Sequence, residues 1–242
     1  MELLPAIDLR EGGVVRLQRG DDKQRTVYSK DPVEVLQGFS EAGVERVHVV
    51  DLDAAFGESP QRELIERMAS AGSGLSVQLG GGLRDRAAID WAFGVGVDRV
   101  VVTSMIVRDF DAFAAAVSEH PGKVVAALDV DGGELRTAGW TQSADRPLQE
   151  ICEQLRGLPL AAVLTTDISR DGMLQGPNFE LAAFLGRSTD SGAILSGGVG
   201  SLGDIRRARH FPEICGVIVG KALYDGQVDL AEALELCAEA TA

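Results

Sequence analysis

Short, nearly continuous apolar runs alternate along this chain with longer stretches in which apolar residues recur three and four positions apart. The runs at 3–9, 49–53, 77–79, 99–102, 124–130, 161–168, 194–195 and 217–219 read as strands buried on both faces, because none carries a polar face. The stretches between them read as helices with ordinary start and stop signals. Asp31-Pro32 supplies an N-cap and a first-turn proline for a helix ending at Gly43, and Ser59-Pro60 opens one that carries Leu64, Ile65 and Met68 and stops at Gly72. Ile89, Trp91 and Phe93 mark the next, and Phe110, Phe113 and Val117 share one side of a helix over 109–117. Leu181, Ala182, Ala183 and Leu185 follow, and 229–240 closes the series with Leu230, Ala233, Leu234 and Leu236. Strand followed by helix throughout predicts a parallel sheet covered on its outer face. Eight such units in one domain over 1–242 predict a closed (β/α)8 TIM barrel.

Two polar segments interrupt the alternation. A Gly12-Gly13 turn leads to the apolar run Val14, Val15, Leu17, after which 20–30 is polar and charged. A loop of that length is either a mobile flap over the site or a solvated excursion. Residues 131–146 form the second polar loop, with Arg136, Gly139 and Trp140. A tryptophan there is either a plug against the barrel rim or a surface for an aromatic or heterocyclic substrate.

The two halves of the chain repeat one another at a nearly constant offset. Gly80-Gly81-Gly82 answers to Ser196-Gly197-Gly198, Val100-Val101-Val102 to Val217-Ile218-Val219, Asp51 to Asp167, and Ala6-Ile7-Asp8 to Ala127-Leu128-Asp129. Four strands repeated once give a barrel built from two similar half-barrels.

A length of 242 residues fits one such barrel, with hydrophobic residues at 45% and charged residues at 25%. No apolar run approaches the roughly 20 residues of a membrane helix. The N-terminus reads as the first strand rather than a signal peptide, which places the protein in the cytoplasm. Cys152, Cys215 and Cys237 are odd in number and widely spaced, as reduced core thiols are, and no metal motif accompanies them. A net charge of −14 excludes nucleic acid as partner. It leaves room for a phosphorylated small molecule, since backbone amides and helix N-termini hold phosphate locally.

Candidate chemistry follows from the repeated glycine turns. A short apolar run ending in glycines before a helix leaves N–H groups pointing at an anion. For a single Gly-Gly a simple tight turn explains as much, but the pattern occurs in both halves. Strand ends are also where barrel active sites lie. Asp8 and Asp129 end the first and fifth strands, so their carboxylates face one another across the mouth, and two carboxylates in one cleft can serve as acid and base. Asp51, Asp53 and Asp167 are assigned to helix capping instead.

The segments LPAIDLREGGVVRLQRGD, VHVVDLDAAF, VQLGGGLRD, ALDVDGG, GW, TDISRDGMLQGPN, ILSGGVGSLGDI and GVIVGKALY together resemble the histidine-biosynthesis isomerases of the HisA type over essentially the whole chain. The resemblance implies an Amadori rearrangement of phosphoribosylformimino-5-aminoimidazole carboxamide ribotide (ProFAR) to its ribulosyl isomer PRFAR. It implies a substrate with two phosphates, no cofactor or metal, and a monomer without nucleic-acid or membrane partners. Asp8 then corresponds to the proton acceptor and Asp129 to the donor, while Arg16, Trp140, Thr166 and Asp171 contact substrate or assist the acid. The phosphate turns fall on Gly81 and Gly82 with Thr103 and Ser104, and on Gly197 and Gly198 with Gly220 and Lys221. Thr103-Ser104-Met105 departs from the family's usual Gly-Thr-Ala.

Two neighbouring enzymes share features with this pattern. The related cyclases carry a Cys-Leu-Asp run and a later Lys, where this chain has Ala6-Ile7-Asp8 and Arg16. The dual-substrate PriA type, which also isomerises phosphoribosyl anthranilate, is similar through Trp140 but usually has Arg where this chain has Ala138. A phosphate-binding sensor on the same fold would be expected to lack one carboxylate.

Overall fold

An all-apolar strand is buried on both faces only if the sheet closes on itself and is wrapped by helices. The computed structural model describes residues 1–18, 20–71, 74–137, 139–140, 142–144 and 146–239 and has this architecture. Its barrel strands are β1 (Glu2–Arg10), β2 (Arg46–Asp51), β3 (Ser76–Gly80), β4 (Arg99–Val102), β5 (Val124–Asp131), β6 (Ala162–Asp167), β7 (Ala193–Ser196) and β8 (Ile214–Val219). All neighbours are parallel, and β6 pairing with β5 closes the ring, giving a (β/α)8 TIM barrel. β1 and β5 stand four strands apart, as do β3 and β7, so matching strands of the two half-barrels lie on opposite walls.

Alternation along each strand divides the core in two. Leu4 and Ala6, Val101, Val125 and Ala127, Leu164, Ile194 and Ile218 fill the barrel interior. The residues at the alternate strand positions, such as Val49, Leu79, Leu128 and Leu195, pack outward under the helices. At the N-terminal end of the strands Glu2 pairs with Arg46 and, at 2.9 Å, with Arg99, while Arg46 also reaches Asp98 at 2.7 Å. Charged residues thus occupy the bottom of the barrel and leave the top for the site.

The Asp31-Pro32 signal acts as expected. Asp31 accepts hydrogen bonds from the amides of Val33 and Glu34 at 3.0 and 3.2 Å ahead of the helix Pro32–Glu41. Asp51 and Asp167 are helix caps. Asp53 is not: it accepts from Arg10 at 2.7 Å and from the Glu11 amide.

Several boundaries differ from the sequence reading. The second strand stops at Asp51, and Leu52–Ala55 is a helical turn, since the Asp51 side chain caps the amide of Ala54. The helix expected at Ser59-Pro60 begins at Arg62. The expected stops Gly72 and Ala240 lie outside the described residues. A further helix, Leu148–Leu155, buries Ile151, Cys152 and Leu155, which with Leu148 have helical spacing. Cys152 and Cys237 are buried, but Cys215 is exposed, because it turns outward at the first residues of β8.

Neither polar segment is simply a loop. β1 overruns the barrel and pairs antiparallel with Gly13–Gln18, which pairs in turn with Asp21–Ser29. β5 overruns it likewise and pairs with Glu134–Thr137, which meets Gln142–Ser143. Ladder hydrogen bonds to a strand already in place make these strands, so no hydrophobic alternation is needed. The twofold repeat therefore extends to the hairpins: Asp8 sits opposite Val15, and Asp129 opposite Arg136. Among the described residues no helix is long and apolar enough to cross a membrane.

Candidate active site

One pocket at the C-terminal strand ends is lined by Asp8, Arg16, Asp129, Trp140, Thr166 and Asp171, together with the Gly81-Gly82 turn, Thr103 and Ser104. Asp8 reaches it from the end of β1, and the β1 hairpin folds Arg16 back to form an ion pair with it. Asp129 reaches it from β5. The β5–β6 register sets Thr166 directly beside Asp129, and the Thr166 hydroxyl hydrogen-bonds to that carboxyl. The Trp140 indole also hydrogen-bonds to Asp129.

These surroundings make the two carboxyls unlike. Burial pushes both above the ordinary carboxylate range. Arg16 pulls Asp8 back by its charge and hydrogen bond, whereas the groups opposing burial at Asp129 are neutral donors, Thr166 and Trp140. Asp129 is therefore the readier of the two to keep a proton, and Asp8 the readier to be ionised. Asp171, at the end of the turn after β6, is a third carboxyl in the pocket. Burial pushes it up to about 6; Arg16 opposes this, while Asp8 and Asp129 add to it.

Trp140 has a left-handed backbone, with φ of 68°, uncommon for a residue with a bulky side chain. Its ring lies against the hairpin tip, where a Cβ on Gly20 would come within 2.7 Å of the indole Cε3. The tips of the two hairpins thus meet over the carboxyls. The first polar segment does lie over the site, as a docked hairpin held further by Asp22 on Arg10 at 3.1 Å and Tyr28 on Asp225 at 2.7 Å.

The glycine turns divide. Gly81 and Gly82 have φ of 93° and 72°, and a Cβ on either would lie 2.3 Å from the Asp51 carbonyl oxygen or the Ala54 Cβ. Only glycine fits there, and the turn opens into the pocket with Thr103 and Ser104. Ser196 and Ile218 line the same pocket, but Gly197, Gly198, Gly220 and Lys221 do not. Arg16 stands between: a Cβ on Gly220 would fall 1.5 Å from its Nη2, so the guanidinium rests on that glycine. Lys221 is engaged by Asp225 within its own helix.

The helices beginning at these corners share a feature. Asp31, Asp51, Asp85, Asp109, Asn178, Ser201 and Asp229 each cap a helix with their own side chain. Thr103, before Ser104–Arg108, and Gly220, before Lys221–Tyr224, make no side-chain cap and leave amides for an external acceptor, as does Pro147 before Leu148–Leu155.

Sequence reasoning missed His48, which lines the pocket floor, and Gln78, buried behind it and paired with it. Their signal was two polar side chains at inward positions of otherwise apolar strands. It also missed Arg10, which joins Asp22, Asp53 and Glu58. Ala138, which bears on the second substrate, lies outside the described residues. Among the described residues no cluster of His, Cys, Asp and Glu is arranged to hold a metal ion.

A family model described as "Histidine biosynthesis protein" matches residues 2–229. The chain is 42% identical over 243 residues to the 1-(5-phosphoribosyl)-5-((5-phosphoribosylamino)methylideneamino) imidazole-4-carboxamide isomerase of Rhodopirellula baltica, covering 99% of this chain and 95% of that one. It is 41% identical to the isomerases of the same name from Symbiobacterium thermophilum and Rhodospirillum rubrum, covering 99% of this chain and 98% and 100% of those. With these matches running almost end to end over a barrel whose carboxyls and Gly81-Gly82 turn meet in one pocket, the chain belongs to the histidine biosynthesis protein family.

Proposed function

We infer that this chain is an isomerase that converts ProFAR to PRFAR, an aldose-to-ketose Amadori rearrangement in histidine biosynthesis. The observation that carries this reading is the pair of opposed aspartates in one pocket with unlike surroundings, Asp8 on a guanidinium and Asp129 on neutral donors. Full-length relatives bearing the isomerase name support it.

The chemistry divides between the two carboxyls. Asp129, protonated, gives its proton to the ring oxygen of the aminoaldose, and the C1–O bond breaks to leave a protonated Schiff base. Asp8, ionised, removes the proton from C2, and the resulting enolamine tautomerises to the aminoketose. Thr166 and Trp140 orient Asp129, and Arg16 keeps Asp8 charged. Proton transfer by two side chains accounts for every step, so the reaction needs no redox partner. One phosphate of the substrate sits at Gly81, Gly82, Thr103 and Ser104, and the other at Gly197, Gly198, Gly220 and Lys221, with Arg16 beside it. A doubly phosphorylated substrate does not cross a bilayer unaided, which supports a cytoplasmic location.

Purified protein assayed with ProFAR and with phosphoribosyl anthranilate tests the reading. Turnover of ProFAR is expected, and Asp8→Asn and Asp129→Asn should each lower kcat by roughly 10²-fold or more, with KM changing far less. A folded Asp8→Asn protein working at the wild-type rate would sink the assignment.

A further inference from the structure

A barrel made of two similar halves, with a positive-φ glycine turn after β3 and another after β7 on the opposite wall, offers similar backbone to either end of a substrate with two phosphates. Productive chemistry needs one orientation, so some group must break the symmetry. Among the inward-facing residues of the strands, the two halves differ at the pocket floor. His48 on β2 and Gln78 on β3 are 6% and 0% exposed, and the residues at the matching positions of the second half are Leu164 on β6 and Ile194 on β7. Both of those belong to the apolar filling of the barrel.

Burying an amide and an imidazole is unfavourable unless both are hydrogen-bonded. Here the pairing is incomplete. Gln78 Nε2 lies 3.1 Å from His48 Nδ1, while Gln78 Oε1 is buried without a partner among the described residues. The second half shows that Leu and Ile serve the fold at these positions, so packing alone does not call for the polar pair.

The geometry gives the pair a direction. His48 lines the pocket, and its Cε1 lies 3.6 Å from the place of a Cβ on Gly80, next to the Gly81-Gly82 turn. The Gln78 amide donates to Nδ1, which leaves the ring proton on Nε2. Burial, and then the charge of Arg16, push the imidazole down to about 3, so the ring is neutral wherever the enzyme works. It offers a fixed N–H donor rather than a titrating acid.

We propose that His48, oriented by Gln78, donates its Nε2–H to a sugar hydroxyl of the substrate between the Gly81-Gly82 turn and Asp8, and thereby sets which end of the two-phosphate substrate enters this half of the barrel. The proposal rests on the isomerase reading above. It makes His48 a specificity residue with no part in proton transfer.

The test compares wild type, His48→Leu, which copies the second half, and His48→Gln, whose amide nitrogen replaces Nε2. In His48→Leu the protein folds, and kcat for ProFAR falls about 10-fold or more without a rise in KM, because reversed complexes now compete. His48→Gln recovers a substantial part of that loss. A folded His48→Leu enzyme within about twofold of wild-type kcat overturns the proposal, and so does a His48→Gln enzyme no better than the leucine variant. A measurement free of any variant stands beside these: ¹⁵N NMR of the wild-type protein should show His48 as the Nε2–H tautomer, with that resonance moving when PRFAR saturates the enzyme. An unmoved resonance overturns the proposal. Wild-type protein inactive on ProFAR would instead remove the isomerase reading itself, so the two failures are told apart.

Discussion

Asp171 gives the most direct test of the pocket's electrostatics. Its carboxyl is pushed up to about 6 from an ordinary value of 3.8, by burial first and then, against Arg16, by Asp8 and Asp129. The folded protein therefore holds this proton more tightly than the unfolded chain does. The stability it contributes is full below about pH 4 and is lost as the pH rises through about 6. At 1.36 kcal/mol per pKa unit a shift of roughly two units corresponds to at most about 3 kcal/mol, and exposure to pocket water brings the expectation to about 1–2 kcal/mol. Asp171→Asn keeps the shape and cannot titrate. Urea unfolding of wild type and variant across about pH 4 to 8 should show the variant gaining on wild type by that amount up to about pH 7 and level beyond. Turnover should fall as well, since the carboxyl lies among the reacting groups. Stability curves that run parallel across the whole range would refute the view that these carboxyls crowd one another.

Two further outcomes follow from the same geometry. Inorganic phosphate soaked into crystals should occupy the Gly81-Gly82 corner beside Thr103 and Ser104, and the Gly197-Gly198 corner with Arg16 displaced toward it; density at neither corner, with phosphate bound elsewhere, would count against the phosphate assignment. Asp53→Asn should lower stability by about 1–3 kcal/mol through weakened hydrogen bonds to Arg10 and the Glu11 amide, with kcat within about twofold of wild type. Lost turnover at unchanged thermal stability would move Asp53 into the catalytic machinery.

What the sequence revealed and what it hid have separate physical causes. The barrel strands were legible because burial on both faces leaves no polar position to confuse their periodicity, and Asp31 was legible because a capping side chain acts on amides two or three residues away. The opposition of Asp8 and Asp129 followed from the repeat. The hairpins at Asp21–Ser29 and Glu134–Thr137 were not legible, because the overrunning β1 and β5 form them through backbone hydrogen bonds that no side chain announces. The placement of Arg16 on both Asp8 and Gly220 was hidden for the same reason, since it depends on that hairpin. His48 and Gln78 were visible as letters, but their pairing depends on the neighbouring positions of β2 and β3, a register fixed only in three dimensions.

The charge balance explains why the ends of the site are made of backbone. On the proposed isomerase reading, a protein of net charge −14 with Asp8, Asp129 and Asp171 in one pocket must still hold a substrate with two phosphates. At an effective dielectric constant of about 20, two unit charges roughly 10 Å apart repel by about 1.7 kcal/mol, so each phosphate feels the central carboxylates even from the rim. Lysines placed among the aspartates would relieve this, but they would also favour the ionised form of Asp129 and weaken it as an acid. Amides of a glycine turn and a helix start carry partial positive charge, are fixed in direction and do not titrate. Most helices here spend those amides on an Asp, Asn or Ser of their own, whereas Thr103 and Gly220 leave them unspent at the two corners. The cation nearest the carboxyls, Arg16, stands on the Asp8 side, where favouring the ionised form suits a base, and rests on Gly220, where it can also meet a phosphate. Positive potential is thus delivered at the rims and beside Asp8, the proposed base, and Asp129, the proposed acid, is left among neutral donors that favour its protonated form.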